Sequence, residues 1–368
     1  PSNEEIKIGI NQEFENMNPL IATMAATNYM STLVNRSMVY MNDKGEWAPQ
    51  LAKGIPTIEN KGAKLITLPD GKKGLEVTWE ILEKAKWGDG TPVTCEDFKF
   101  AWEVGKNPNV SVGARDAYEV ISKIDIDPKN PKKCTYTLNK PRFDYYQGVP
   151  GPLPKHIEEA VLKQYGSQKE GYDQNSNYTK NPTNKGLYNG PYVISEIKLG
   201  SHVSFAVNPN FYGKVPNIKK MIFKLIPNTG TLEANLRSGT IDMISSLGLA
   251  FDQALAFEDK VKAENLPYKV LFQPSTTYEH IDLNLDNEFL KDVKVRKALV
   301  YAINRDELTK ALFKGRQEPA IHNVAPIDPL FTKDPKEIVV YEYSKRKASQ
   351  LLDEAGWKME KDGFRYKA

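Results

Sequence analysis

The four histidines, His156, His202, His280 and His322, are scattered, and the only thiols are Cys95 and Cys134. No Ser/His/Asp set, phosphate loop or metal-ligand cluster stands in a supporting context. Two cysteines cannot build a tetrahedral zinc site alone. Buried free thiols are the expectation for them, with a disulfide as the alternative open to an exported protein. Asp89 has the chemistry of a catalytic acid but no partner carboxylate at a recognisable spacing. Arg296 could seize a carboxylate, and a helix-surface ion pair is the reading preferred. Ser245-Ser246-Leu247-Gly248 follows a short predicted strand, and the carboxyl ends of parallel strands are where open α/β sheets bind ligands.

That strand belongs to the stretch that organises the chain, Asn208 to Met243. Asn208-Pro209-Asn210 and Gly213 form a turn. Met221 to Ile226, apolar on both faces, reads as a strand covered on both sides. After Pro227 the period lengthens: Leu232 and Leu236 lie one helical turn apart, and Gly239 sits where a left-handed helix stop belongs. Ile241-Asp242-Met243 returns as a strand, completing a parallel βαβ unit. Lys7–Ile10 and Lys133–Leu138 are further strands, and Val77, Trp79 and Ile81 alternate as a half-buried strand does. Asp89-Gly90 is a turn, and Thr94 with Asp97 caps a helix. The stretch from Gly166 to Lys185, rich in Asn, Tyr and Ser, reads as a long surface loop. Asp292–Asn304 is an amphipathic helix with Val295, Leu299, Ala302 and Ile303 on one face. Ser344 caps a last helix that Gly356 closes.

At 368 residues, two or three domains are expected. Fifty basic against 47 acidic residues give a charge of +3. So even a balance, without a basic cluster, argues against a nucleic-acid partner. No apolar run approaches the roughly 20 residues of a membrane span. A signal peptide removed from the front would leave the same picture.

Several segments, in order, carry a resemblance. Asn208-Pro209-Asn210-Phe211-Tyr212-Gly213 is similar to "NPxYWG", and Arg237-Ser238-Gly239-Thr240-Ile241-Asp242 to "(K/R)xGEID". Lys86-Trp87-Gly88-Asp89-Gly90-Thr91-Pro92, Leu153-Pro154-Lys155-His156, Gly190-Pro191-Tyr192, Asp292–Asn304 and Tyr343–Trp357 also match. So does the Asn16-Met17-Asn18-Pro19 turn, with Asn18 for the usual aspartate. Together these resemble the extracellular solute-binding proteins of the peptide/nickel type, the family-five group that serves ABC importers.

The resemblance implies an α/β fold of the periplasmic-binding-protein type II kind, two lobes plus an extra α+β domain, with mixed sheets flanked by helices. It implies residues 1–46 with 186–265 as one domain, 47–185 as a second and 266–368 as an incomplete third. It implies no enzyme, no metal and no cofactor, but capture of short peptides through backbone hydrogen bonds and delivery to a membrane-embedded ABC importer permease. A monomer is expected, periplasmic or otherwise extracytoplasmic, and membrane-associated if lipid-anchored. Candidate contacts are Thr23, Met24 and Ala25; Ser245, Ser246 and Leu247; and Thr277, Tyr278 and His280. The last three lie in Ser275–Asn284, read as a strand entering the third domain. Trp87, Asp89 and His156 are assigned structural roles. Family members continue past the "EAGW" helix, so a truncated chain is expected, with the acidic partner of a peptide's amino group in the absent part. Two other readings stay open: a non-peptide ligand (metal chelate, haem or oligosaccharide) and a hydrolase.

Overall fold

The computed structural model describes residues 4–334 and 336–367. The chain divides into two compact units, one up to Leu249 and one from Ala250.

In the first unit, β1 (Glu5–Ile10) leads through the Asn18 turn to α1 (Ala25–Val34) and a small hairpin, β2 (Val39–Met41) and β3 (Trp47–Pro49). Then come β4 (Ala63–Thr67), β5 (Lys73–Glu80), α2 (Cys95–Lys106), the single turn α3 (Asp116–Glu119), β6 (Ile121–Asp127) and β7 (Asn130–Leu138). After α4 (Lys155–Tyr165), the short α5 (Gly171–Asn175) and α6 (Asn177–Lys180) precede β8 (Tyr192–Lys198) and β9 (His202–Val207). The unit closes with β10 (Lys220–Leu225), α7 (Thr229–Arg237) and β11 (Met243–Ile244).

A five-stranded sheet has the order β11-β1-β10-β9-β8. Strand β1 runs parallel to both β10 and β11, while β9 is antiparallel to β10 and β8. The predicted βαβ unit is therefore present, with β1 laid between its two strands. Its causes are local. The Asn228 side chain accepts from the N–H groups of Gly230 and Thr231, starting α7, and Gly239, at φ +75°, stops it. Leu232 and Leu236 are buried. A Cβ on Gly9 would lie 2.7 Å from side-chain atoms of Leu232 and Ile241, so glycine lets helix and strand approach here. Cover over β10 is less complete than its apolar sequence suggests: only Phe223 is buried, and Met221, Ile222 and Leu225 are half-buried.

The second sheet is antiparallel, β4-β5-β7-β6. Leu75, Val77 and Trp79 on β5 and Cys134, Tyr136 and Leu138 on β7 are buried, because alternate strand residues share a face. Two buried clusters result. One surrounds the five-stranded sheet and includes Met30 and Val34 of α1. The other joins the inner face of the four-stranded sheet to Cys95 and Phe98 of α2.

Two expectations are corrected in this unit. Cys95 and Cys134 are not free thiols but form a disulfide, with Cα atoms 6.1 Å apart. Packing α2 on the sheet brings the pair within bonding range. The stretch from Gly166 to Lys185 is not a surface loop. It forms α5 and α6 and sends Tyr172 and Tyr178 into the first cluster. The fully buried Glu158 carboxylate holds it, accepting from Ser176 Oγ at 2.7 Å, Asn177 N at 2.9 Å and Asn177 Nδ2 at 3.0 Å. A polar-rich sequence can enter a core when its polar groups are satisfied in this way.

The second unit contains α8 (Phe251–Ala263), α9 (Val293–Ala302), α10 (Arg305–Phe313), α11 (Lys345–Glu354) and the hairpin β12 (Trp357–Met359) and β13 (Arg365–Lys367). Side-chain oxygens of Asp292, Asn304 and Ser344 accept from Lys294 N, Glu307 N and Lys347 N, which sets the starts of α9, α10 and α11. Three readings change. On α9, Val295 and Ala298 are buried, while Leu299, Ala302 and, just past its end, Ile303 are exposed. Arg296 donates to the carbonyls of Leu290 and Lys291, at 2.7 and 2.9 Å, in place of the expected ion pair. Ser275–Asn284 lies in no strand and bends at Thr276. Periodicity shows which residues are apolar, not which neighbour arrives to cover them.

Candidate functional site

The polar segment after β1 returns to start α1. The Glu15 carboxylate accepts from Thr23 N at 2.6 Å and Met24 N at 3.0 Å, and Glu15 N donates to Thr27 Oγ1 at 2.8 Å. A carboxylate at this end also meets the positive pole of the helix. Thr23, Met24 and Ala25 are therefore exposed at a helix N-terminus, two of them with main-chain donors already engaged.

Ser245, Ser246 and Leu247 follow β11 at the carboxyl edge of the parallel strands. Ser245 is buried, its N–H donating to Gly9 O at 3.1 Å and its Oγ accepting from Leu247 N at 3.1 Å. Leu247 O accepts from Asn11 N at 3.0 Å, tying this turn to the end of β1. Ser246 is exposed. Asn11 was not singled out from sequence, yet its amide oxygen is buried there without a hydrogen-bond partner. The available signal was an Asn directly after a predicted parallel strand.

Thr277, Tyr278 and His280 lie in the second unit, all exposed. The Tyr278 and His280 rings stack with centroids 4.7 Å apart, and His280 Nε2 is 3.3 Å from Asp282 Oδ2. Thr277 N donates to Ser275 Oγ at 3.2 Å. Among the described residues, no backbone group of residues 276–283 takes part in a backbone–backbone hydrogen bond.

The Trp87–Thr91 segment is architectural. His156 Nε2 lies 2.8 Å from Asp89 Oδ2, joining the turn to α4. Burial raises the Asp89 carboxyl, but the Thr91 N–H and the His156 imidazole outweigh it and hold the group below the usual carboxylate range. Asp97 accepts from Thr94 N at 2.8 Å, Trp87 Nε1 at 3.3 Å and Lys155 N at 3.0 Å. Burial pushes its carboxyl above the usual range against the pull of these donors. Asp97→Asn turns an NH2 toward N–H groups and strands at least one of them. The expected loss is about 2 kcal/mol of stability, read by urea unfolding. A loss under about 0.5 kcal/mol, the scatter of neutral surface changes, would refute this role.

Among the described residues no group of three or more His, Cys, Asp or Glu is placed to hold a metal, and no helix is long and apolar enough to cross a membrane. The candidate residues thus present main-chain groups at a helix start and a strand end in the first unit and, separately, along residues 276–283 in the second.

The profile of the bacterial extracellular solute-binding proteins, family 5 Middle, matches residues 47–367. The chain belongs to this family. Its similarity to the oligopeptide-binding protein AppA of Bacillus subtilis is 27% identity over 305 residues, 80% of this chain and 52% of that protein. Among solved structures, the oligopeptide-binding protein of Thermus thermophilus complexed with a pentapeptide is 27% identical, with a TM-score of 0.74. NikZ of Campylobacter jejuni in complex with Ni(L-His) is 26% identical, with a TM-score of 0.76. Both alignments cover 100% of this chain and 66% of the other. The chain therefore spans about half the length of the curated relative and about two thirds of the solved ones. The fold is the mixed α/β, type II-like fold of periplasmic binding proteins, and the family serves ABC importers as binding proteins rather than enzymes.

Proposed function

We propose that this chain binds short peptides, mainly through main-chain hydrogen bonds, for delivery unchanged to the membrane permease of an ABC importer. The observation that carries this reading is the run of residues 276–283, outside any helix or strand and exposed up to Asp282, whose backbone groups make no backbone–backbone hydrogen bond among the described residues. Such a run offers alternating N–H and C=O groups to an extended peptide, and those groups are common to every peptide sequence. The Asn11 amide oxygen adds an acceptor at the sheet edge beside Leu247. Thr23, Met24, Ala25, Ser245, Ser246, Leu247, Thr277, Tyr278 and His280 remain the proposed contacts. The proposed domains are 1–46 with 186–265, 47–185 and 266–368. In support, the five-stranded sheet lies wholly in the first and the four-stranded sheet wholly in the second. An extracytoplasmic location goes with this reading.

Native mass spectrometry of protein purified without refolding is the decisive experiment. Mixed short peptides are expected; a single bound compound of another class overturns the proposal. Added peptide at about 100 times its Kd should raise stability by about 2.7 kcal/mol, seen as a higher Tm. Asn11→Ala should weaken peptide binding about fivefold, the worth of one hydrogen bond; unchanged affinity removes Asn11 from the site. The second reading, a metal chelate as ligand, is favoured by the similarity to NikZ in complex with Ni(L-His). Peptidase turnover would favour the hydrolase reading instead.

A further inference from the structure

The start of α1 offers a ligand negative charge rather than main-chain donors. Thr23 N and Met24 N are both taken by one oxygen of Glu15, Oε1, at 2.6 and 3.0 Å. The other oxygen, Oε2, accepts no hydrogen bond among the described residues, has no Lys, Arg or His partner there and is open to solvent. The positive pole of α1 offsets about half an elementary charge. The carboxylate therefore keeps a net negative charge beside the exposed residues 23–25.

The group is held in place. Glu15 N donates to Thr27 Oγ1 at 2.8 Å, and Thr27 is buried. With Oε1 fixed as well, little rotamer freedom is left to lose when a cation arrives. Glu15 is half-buried, where charges act on one another more strongly than in open water.

The neighbouring wall leaves room. A Cβ on Gly113 would lie 3.3 Å from Thr23 Cγ2, so the loop before α3 runs against this corner and presents no side chain at the point of contact. Gly113 is exposed, on a braced loop. Arg115 donates to the carbonyls of Gly105, Asn107 and Val110 at 3.0, 2.9 and 2.6 Å, and Ser111 N donates to Asp173 Oδ2 at 2.9 Å. Arg115, the cation among residues 111–115, is thus committed to carbonyls, and Asp173 adds a second carboxylate to the loop's surroundings. We propose that Glu15, with Gly113 leaving the space, forms a subsite for a positively charged group of the bound ligand, the α-ammonium of a peptide or the side-chain ammonium of a lysine within it. The subsite rests on the peptide reading given above and adds a charge preference to it.

Calorimetric titration of the full chain with trialanine, N-acetyl-trialanine and N-acetyl-Ala-Lys-Ala tests the proposal. At least one of the two peptides carrying an ammonium should bind about tenfold tighter than N-acetyl-trialanine, the worth of a hydrogen bond to a charged group. A preference for trialanine assigns the α-ammonium; one for the lysine peptide assigns the side chain. Glu15→Gln keeps an oxygen for Thr23 N and Met24 N but removes the charge, so the ratio of affinities should fall to about one. Gly113→Leu fills the space and should lower the same ratio. Equal binding of all three peptides by wild type, or a preference that survives Glu15→Gln, overturns the subsite and leaves the peptide reading standing. Binding of none of the three overturns both. Should Glu15→Gln fail to fold, Gly113→Leu decides: an unchanged ratio refutes the subsite.

Discussion

Replacing Cys95 and Cys134 together by alanine is expected to cost about 4 kcal/mol of unfolding free energy. The two positions are 39 residues apart. Opening a loop of that length returns this much conformational entropy to the unfolded chain in the chain-entropy account. The bond ties the first residue of α2 to β7, where Cys134 faces Trp79 across the strand pair. Both cysteines are buried, so a reductant reaches them only when this region opens. Two measurements check this. Urea unfolding of the double variant should show the loss, and thiol release in mild reductant should follow the unfolding rate. A loss below about 1 kcal/mol, outside the usual range for native disulfides, would mean that the cross-link contributes little. A bond held this way also suits the extracytoplasmic setting proposed above, because disulfides persist in oxidising compartments.

Gly190→Ala is expected to be nearly as damaging, at about 3 kcal/mol. Asn189 N and Gly190 N both donate to the Val34 carbonyl, at 3.1 and 2.7 Å, closing the end of α1 onto the segment before β8. A Cβ on Gly190 would lie 2.6 Å from the Val34 carbonyl carbon and 2.7 Å from the carbonyl oxygens of Leu33 and Val34. These are backbone atoms, so no side-chain rotation relieves the overlap; the helix end or the β8 approach must move. The glycine of the Gly190-Pro191-Tyr192 motif is therefore required by close approach. Gly54→Ala is the control, since nothing lies within 4 Å of the Cβ it would add. Thermal unfolding should place Gly190→Ala lower in Tm by about 6–10 °C, with Gly54→Ala near wild type. Equal midpoints for the two variants would show that the chain end of α1 is free to shift.

What was legible in the sequence was local. The Thr94–Asp97 and Ser344 caps, the Asp89-Gly90 turn and the Gly239 stop act within a few residues. Each is present in the structure. The βαβ unit was legible because the period change at Pro227 is itself a local signal. The misread elements depend on distant partners. Residues Gly166 to Lys185 look like a surface loop until Glu158 satisfies Ser176 and Asn177. Ser275–Asn284 has a strand's composition but no strand beside it among the described residues. Leu299 and Ile303 have the right spacing for a core face, yet Val295 and Ala298 take that place on α9. At the candidate site, the sequence located Ser245 after a strand, but not that its hydroxyl closes its own turn or that the Asn11 amide oxygen is buried nearby without a hydrogen-bond partner.

The sequence by itself determined the family and the mixed α/β character, because motifs, periodicity and caps are short-range properties of the chain. Only the tertiary structure decided that two cysteines share a bond, that a polar stretch enters a core and that the Asn11 amide oxygen is buried without a donor. Those outcomes depend on which atoms come within a few ångströms across long sequence separations, and residue spacing along the chain does not specify such distances.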